Sequence, residues 1–187
     1  MSELDLIGKR VVIALGGNAL GTNPKELTKK VEATAHQIAL MIKEGINVVV
    51  THGNGPQVGV IDEAFTIASK DDPDTIPFVP LQDCNAMSQG YIGAQLTVAL
   101  MNELKNQNIM RSVTDVVTHV VVDANDPAFT DLEKPIGSFM TEAEAKKLSA
   151  TENVPVKEDA GRGWRRVVAS PRPQHIVEID AIRDLLD

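Results

Sequence analysis

Twice early in this chain a strand-like apolar run breaks at glycines into a helical period, and that repeated switch limits its fold more than any other feature. Arg10–Leu15 (RVVIAL) is β-branched and apolar and runs into Gly16-Gly17, as a buried strand entering a tight turn would. From Pro24 to Glu44 the apolar residues Leu27, Val31, Ala35, Ile38 and Ile42 share one helical face. Asn23 suits the cap of that helix, Pro24 its first turn and Gly45 its end. Ile46–Thr51 (INVVVT) is a second strand of the buried type, again followed by glycines, and helical spacing resumes near Pro56 and passes Ile67. Strand, helix and strand in this order predict an α/β fold with a mainly parallel, open sheet.

Beyond it, Asp71–Pro80 is rich in acids and prolines and reads as a loop, and Asp83–Asn108 reads as a long helix in which Gly90 and Gly93 permit close packing. Val113–Val122 (VTDVVTHVVV) is the third strand-like run. From about residue 124 to 168 the texture changes to an excursion from the sheet, with a short helix over Thr141–Leu148 whose Thr141 and Glu144 have capping-box spacing. Val177–Leu186 is amphipathic, and its apolar face needs cover.

Composition narrows the partners. The 187 residues are 43% hydrophobic, enough for one substantial core. Eighteen Lys and Arg against 26 Asp and Glu leave a net charge of −8, which argues against nucleic acid or an anionic membrane as partner. Aromatic residues make up 3%, too few for a base-stacking surface. Met1–Arg10 lacks the apolar segment of a signal peptide, and the longest apolar runs are strand-length. One cysteine, Cys84, forms no internal disulfide. A cytoplasmic protein without a bound metal is the expectation.

The first glycine turn, Gly16-Gly17-Asn18-Ala19, allows backbone N–H groups to approach an anion, with a helix terminus adding positive potential. Taken alone it fits a packing turn equally well. The second, Thr51-His52-Gly53-Asn54-Gly55-Pro56-Gln57, follows the next strand, so both turns are expected at the carboxyl edge of one sheet, where ligands of open α/β folds bind. Together they point to a small phosphate or carboxylate held by backbone amides and by the Asn18 and Asn54 side chains, without a Walker lysine.

At these residues the chain resembles the carbamate kinases of the amino-acid kinase superfamily. VVIALGGNAL (Val11–Leu20) and THGNGPQVG (Thr51–Gly59) are similar to that family's paired signatures, and AMSQGYIGAQL, EKPIG and EDAGRGWRRVVASPRP follow in family order. The resemblance implies an αβα sandwich as the amino-terminal acid-binding domain, spanning residues 1–187, with a protruding subdomain at about 124–168. It further implies that Gly16, Gly17, Asn18, Gly53, Asn54 and Gly55 bind the phosphoryl-bearing substrate, and that Lys134 contacts the transferring group. By itself Lys134 is a loop lysine in water, where most lysines sit. Ala14 and Leu15 stand where related kinases carry a lysine before the glycine pair, so a cation from elsewhere makes physical sense.

The remaining polar candidates have bland readings. His52 adjoins the second turn but suits a backbone bond, and His36, His119 and His175 have less to support them. Arg162, Arg165 and Arg166 have Glu158 and Asp159 as ordinary surface partners. Cys84 is expected to be a bystander thiol, and Ser88 and Gln89 to serve helix packing.

What the resemblance implies for activity is reversible phosphoryl transfer, in which carbamoyl phosphate and MgADP give carbamate and MgATP, within a homodimer and commonly in arginine breakdown. The family pattern continues past Asp187 into a nucleotide-binding domain, so the Mg-ATP or Mg-ADP site is expected to be absent. This shortened chain is then expected to bind phosphate-like anions with little turnover. The alternative is a noncatalytic dimerisation or assembly module.

Overall fold

β1 (Arg10–Leu15) and β2 (Asn47–His52) lie parallel, in register from Arg10 opposite Asn47 to Leu15 opposite His52. They belong to a computed structural model in which residues 6–187 are described, the side chain of Asn18 excepted; the reading of a leaderless start over Met1–Asp5 lies outside those residues. The chain divides into two compact units, one ending at Gln57 and resuming over Asn85–Val116, the other made of Val58–Cys84 and Val117–Asp187.

In the first unit α1 (Pro24–Lys43) joins the two strands. Asn23 caps it as expected, its side chain accepting the Glu26 N–H at 3.0 Å, and Gly45 ends it at φ +83°. Along β1 exposure alternates, so Ile13 and Leu15 face inward while Val12 stays 63% exposed. Onto the inward face pack α1 and α3 (Leu81–Asn106), through Ala35, Ile38, Ala39, Leu100 and Leu104. A second cluster joins Leu20, Leu27, Val31 and Ile92, with Leu15 and Leu96 against it. Burying each such aliphatic side chain contributes about 1.5–3 kcal/mol. Of the two glycines expected to permit close packing, Gly93 does so, since a methyl group there would collide with the Asp115 carboxylate, whereas Gly90 faces open space.

The expected mainly parallel sheet is corrected. Among the described residues only β1 and β2 pair in parallel, and in the first unit helices cover one face of that pair rather than both. The strand expected over Val113–Val122 is hydrogen-bonded only as β3 (Val120–Val122), antiparallel to β7 (Pro173–Ile176). Valine-rich composition signals a side-chain surface suited to a pleat, not a backbone partner, and Val113 instead packs against the first core cluster.

The second unit contains most of α2 (Gly55–Asp71) and the excursion. That excursion carries a three-stranded antiparallel sheet of β4 (Lys134–Met140), β6 (Trp164–Val168) and β5 (Val156–Glu158), with β6 central. It falls in one compact unit with Val58–Cys84. α4 (Glu142–Glu152) runs four residues past the expected Leu148 and has the capping box formed by Thr141 and Glu144. α2 meets the sheet at Gly59, where a methyl group would lie 3.1 Å from the Gly137 backbone nitrogen. Ser138 Oγ donates to Glu63 at 2.6 Å, and Arg166 Nη1 lies 2.9 Å from Asp62 Oδ2, an ion pair off the line of a good hydrogen bond. α5 (Ile179–Leu186) buries none of its residues fully; Ile179, Ile182 and Leu186 on its apolar face are half-buried. No described helix is long and apolar enough to cross a membrane.

Several carboxylates are held below their ordinary range by N–H and O–H donors. Glu144 is lowered by the Thr141 N–H and then its hydroxyl, Glu178 by the His119 N–H and then its ring. A carboxylate lowered by folding stabilises the native state above its unfolded value and loses that contribution as pH falls through the folded value. The melting temperature is therefore expected to be flat near neutrality and to fall below about pH 5. Glu144→Gln should flatten the acid limb in thermal melts, and an unchanged limb would count against this assignment.

Candidate anion-binding site

The two glycine turns lie side by side at the carboxyl end of the parallel pair. Leu15 and His52 are the last paired residues, and the Gly53 N–H extends the ladder by donating to the Leu15 carbonyl at 2.9 Å. The chain leaves β1 through Gly16 into a 3-10 turn, Gly17–Leu20, closed by the Ala19 N–H donating to the Gly16 carbonyl at 2.8 Å. Leu20, fully buried, anchors this turn in the second core cluster. Gly21 then takes φ +76°, and a β-carbon there would stand 2.6 Å from that of Glu26, so the exit into α1 requires glycine. The Glu26 carboxyl is held low by the Thr22 N–H first and Asn23 next.

From the other strand the chain passes through Gly53 and Asn54 into Gly55, the first residue of α2. The first N–H groups of a helix have no intrahelical acceptor and carry the positive end of its dipole. Gly16, Gly17, Asn18, Gly53, Asn54 and Gly55 are thus brought to one end of one strand pair, as the sequence predicts. Two of the expected contacts are altered. The Gly53 N–H is occupied by Leu15, and both protons of the Asn54 carboxamide are directed at α3, toward Asn85 Oδ1 at 2.6 Å and Ser88 Oγ at 2.7 Å. Asn54 therefore fixes the turn to α3 rather than offering N–H groups to an anion. Ser88, fully buried, has more than the packing role expected of it.

Sequence reasoning passed over Gln57. In the first turn of α2 and 8% exposed, it donates Nε2 to the Gly21 carbonyl at 3.0 Å, tying the second turn to the end of the first. Its Oε1 is buried without a partner, which costs about 1–3 kcal/mol. A carboxamide directly after a Gly-Pro helix start was the available signal; its acceptor, 36 residues earlier, was not.

Lys134 opens β4 in the second unit, opposite Val168, and is exposed. His52 Nδ1 lies 3.2 Å from the Gly53 carbonyl, the backbone role expected of it. His36 pairs with Glu103 at 2.8 Å and His119 with Glu178 at 2.7 Å. Asp159 takes Arg162 and Arg165 at 2.8 and 3.1 Å, both guanidiniums flanking Phe139. Arg166, expected to share those acidic neighbours, pairs with Asp62 instead. Burial, then Asp62 and Asp83, push the Cys84 thiol up, consistent with a bystander. Among the described residues no three His, Cys, Asp or Glu side chains gather as metal ligands, so no metal site is assigned.

Paired glycine turns at the carboxyl end of a parallel strand pair, beside a helix start, make an α/β arrangement of a kind suited to anions. The chain belongs to the amino acid kinase family, whose model matches residues 9–187. It is 50% identical over 181 residues to the carbamate kinase-like protein YqeA of Escherichia coli, a match covering 97% of this chain and 58% of that protein. To a carbamate kinase of Staphylococcus epidermidis it is 45% identical over 178 residues, covering 95% and 57% of the two. The structure of a Giardia lamblia carbamate kinase bound to citric acid superposes with a TM-score of 0.85 at 44% identity, covering 96% of this chain and 58% of that one. The chain thus spans a little over half the length of these relatives.

Proposed function

We propose that this chain is the acid- and phosphate-binding portion of a carbamate kinase, and that its own activity is to hold carbamoyl phosphate or a similar anion, with little turnover alone. The observation that carries this reading is the juxtaposition of the two glycine turns, joined by the Gly53 to Leu15 hydrogen bond. A citric acid complex of a 44% identical relative is in keeping with an anion site.

Phosphoryl transfer needs alignment and charge compensation more than covalent chemistry from the protein. Backbone N–H groups of Gly16, Gly17, Asn18 and Gly55 cradle the phosphoryl oxygens, while Gly53 and Asn54 set the shape of the second turn. Lys134 is the cation proposed to offset charge on the transferring group. In the intact family Mg-ADP or Mg-ATP supplies the other phosphate chain.

A second reading, assembly through a second copy of the chain, is favoured by α3. Met87, Tyr91, Val98 and Met101 are 37–59% exposed along one helical stripe. Calorimetric titration with inorganic phosphate is expected to show saturable binding, with little ATP formed from carbamoyl phosphate and ADP in a coupled assay. Absence of saturable binding would sink the anion reading, and robust ATP formation the low-turnover one. In sedimentation velocity, a dimer indifferent to phosphate favours assembly.

A further inference from the structure

Resting on the reading of the two turns as an anion site, we propose that Gln57 is a positioning residue: its carboxamide is the strut that sets the second glycine turn against the first.

A cradle assembled from two separate segments binds well only if their N–H groups are already in place, because movement between them is lost on binding at the expense of affinity. The Gly53 to Leu15 bond joins the turns at the strand ends. Beyond the strands, Gln57 Nε2 reaches the Gly21 carbonyl, where the 3-10 turn gives way to α1. One bond is made by the first glycine of the second turn and the other by a residue just after its last glycine, so the segment between them is held at both ends. Asn54, bonded to Asn85 and Ser88, fixes the middle to α3.

As a purely stabilising residue Gln57 is a poor choice. Its amide makes one hydrogen bond while Oε1 stays buried and unpartnered, a combination whose net contribution is near zero or unfavourable. Gln57→Met keeps the length and apolar stem, exchanging the orphaned Oε1 for an unpaired Gly21 carbonyl. Stability should hardly change, but the tie between the turns is gone.

The test uses the full chain, inorganic phosphate as the titrant in calorimetry, and thermal melts. Gln57→Met is expected to weaken phosphate binding about tenfold while the melting temperature moves by less than about 3 °C. Gln57→Glu supplies a rescue when read against Gln57→Met at low pH. A packing role, or mere relief of charge repulsion, restores affinity only to the level of Gln57→Met, whereas the strut restores it beyond that level. Protonated, its carboxyl O–H can donate to the Gly21 carbonyl; ionised, it sets acceptor against acceptor. Its phosphate affinity relative to the parent chain at the same pH is therefore expected to rise from about pH 8 to about pH 5.5. Glu26, packed on Gly21, and His52, beside Gly53, are common to both proteins and cancel in that ratio.

Undiminished affinity in Gln57→Met would overturn the strut while leaving the anion site intact. A loss of affinity matched by a large fall in melting temperature, or recovery in Gln57→Glu no further than the level of Gln57→Met, would also overturn it. No saturable binding by the parent chain removes the anion reading itself, and the strut with it.

Discussion

Leu20→Ala is expected to destabilise the protein by about 3 kcal/mol and to weaken phosphate binding as well. Leu20 is fully buried with Leu27, Val31 and Ile92, and removing its side chain leaves a cavity that neighbours held by two helices fill only in part. For a chain of this size the melting temperature should drop by about 6–12 °C. Leu20 also ends the 3-10 turn and pins it to the core, so its loss frees the first half of the cradle. Leu27→Ala is the control, since it opens the same cluster from within α1. If both variants lose stability equally and bind phosphate equally well, the first turn does not depend on its leucine anchor.

Arg166→Met is expected to cost about 3–5 kcal/mol by leaving Asp62 as an uncompensated buried carboxylate. Asp62 is 4% exposed and Arg166 sits on the central strand of the sheet, between Ile136 and Val156. The pair joins α2 to the strand layer whose edge begins with Lys134. Removing both charges in Asp62→Leu with Arg166→Met should restore most of the loss, because apolar replacement of a buried pair is often neutral. Chemical denaturation of the parent, the single variant and the double variant checks this. A double variant as unstable as the single would show that packing by the arginine stem, not the stranded charge, carries the effect.

That pair also shows where local reading of the sequence stops. Arg162, Arg165 and Arg166 all lie near Glu158 and Asp159 in the chain, yet successive residues of a strand point to opposite faces. Only Arg165 of the β6 pair turns toward Asp159; Arg166 turns toward α2. That alternation needs a strand over Trp164–Val168, and the sequence marks the excursion only by its change of texture. By contrast β1, α1 and β2 were legible because glycines, a cap and a change of period coincide at their ends. Val113–Val122 was misjudged over most of its length because composition says nothing about partners. Of the candidate site, the two turns and their common edge were readable. The roles of Gln57, Asn85 and Ser88 were not, since each depends on a neighbour that only folding supplies.

The half-covered strand pair has a consequence for handling the protein. Val12 stands in water on the uncovered face, and a ribbon two strands wide has backbone groups along its margins that readily recruit another extended chain. Mutual repulsion between molecules carrying eight excess negative charges is what opposes such self-adhesion. Added salt weakens that repulsion, so the protein should keep best dilute and at low ionic strength.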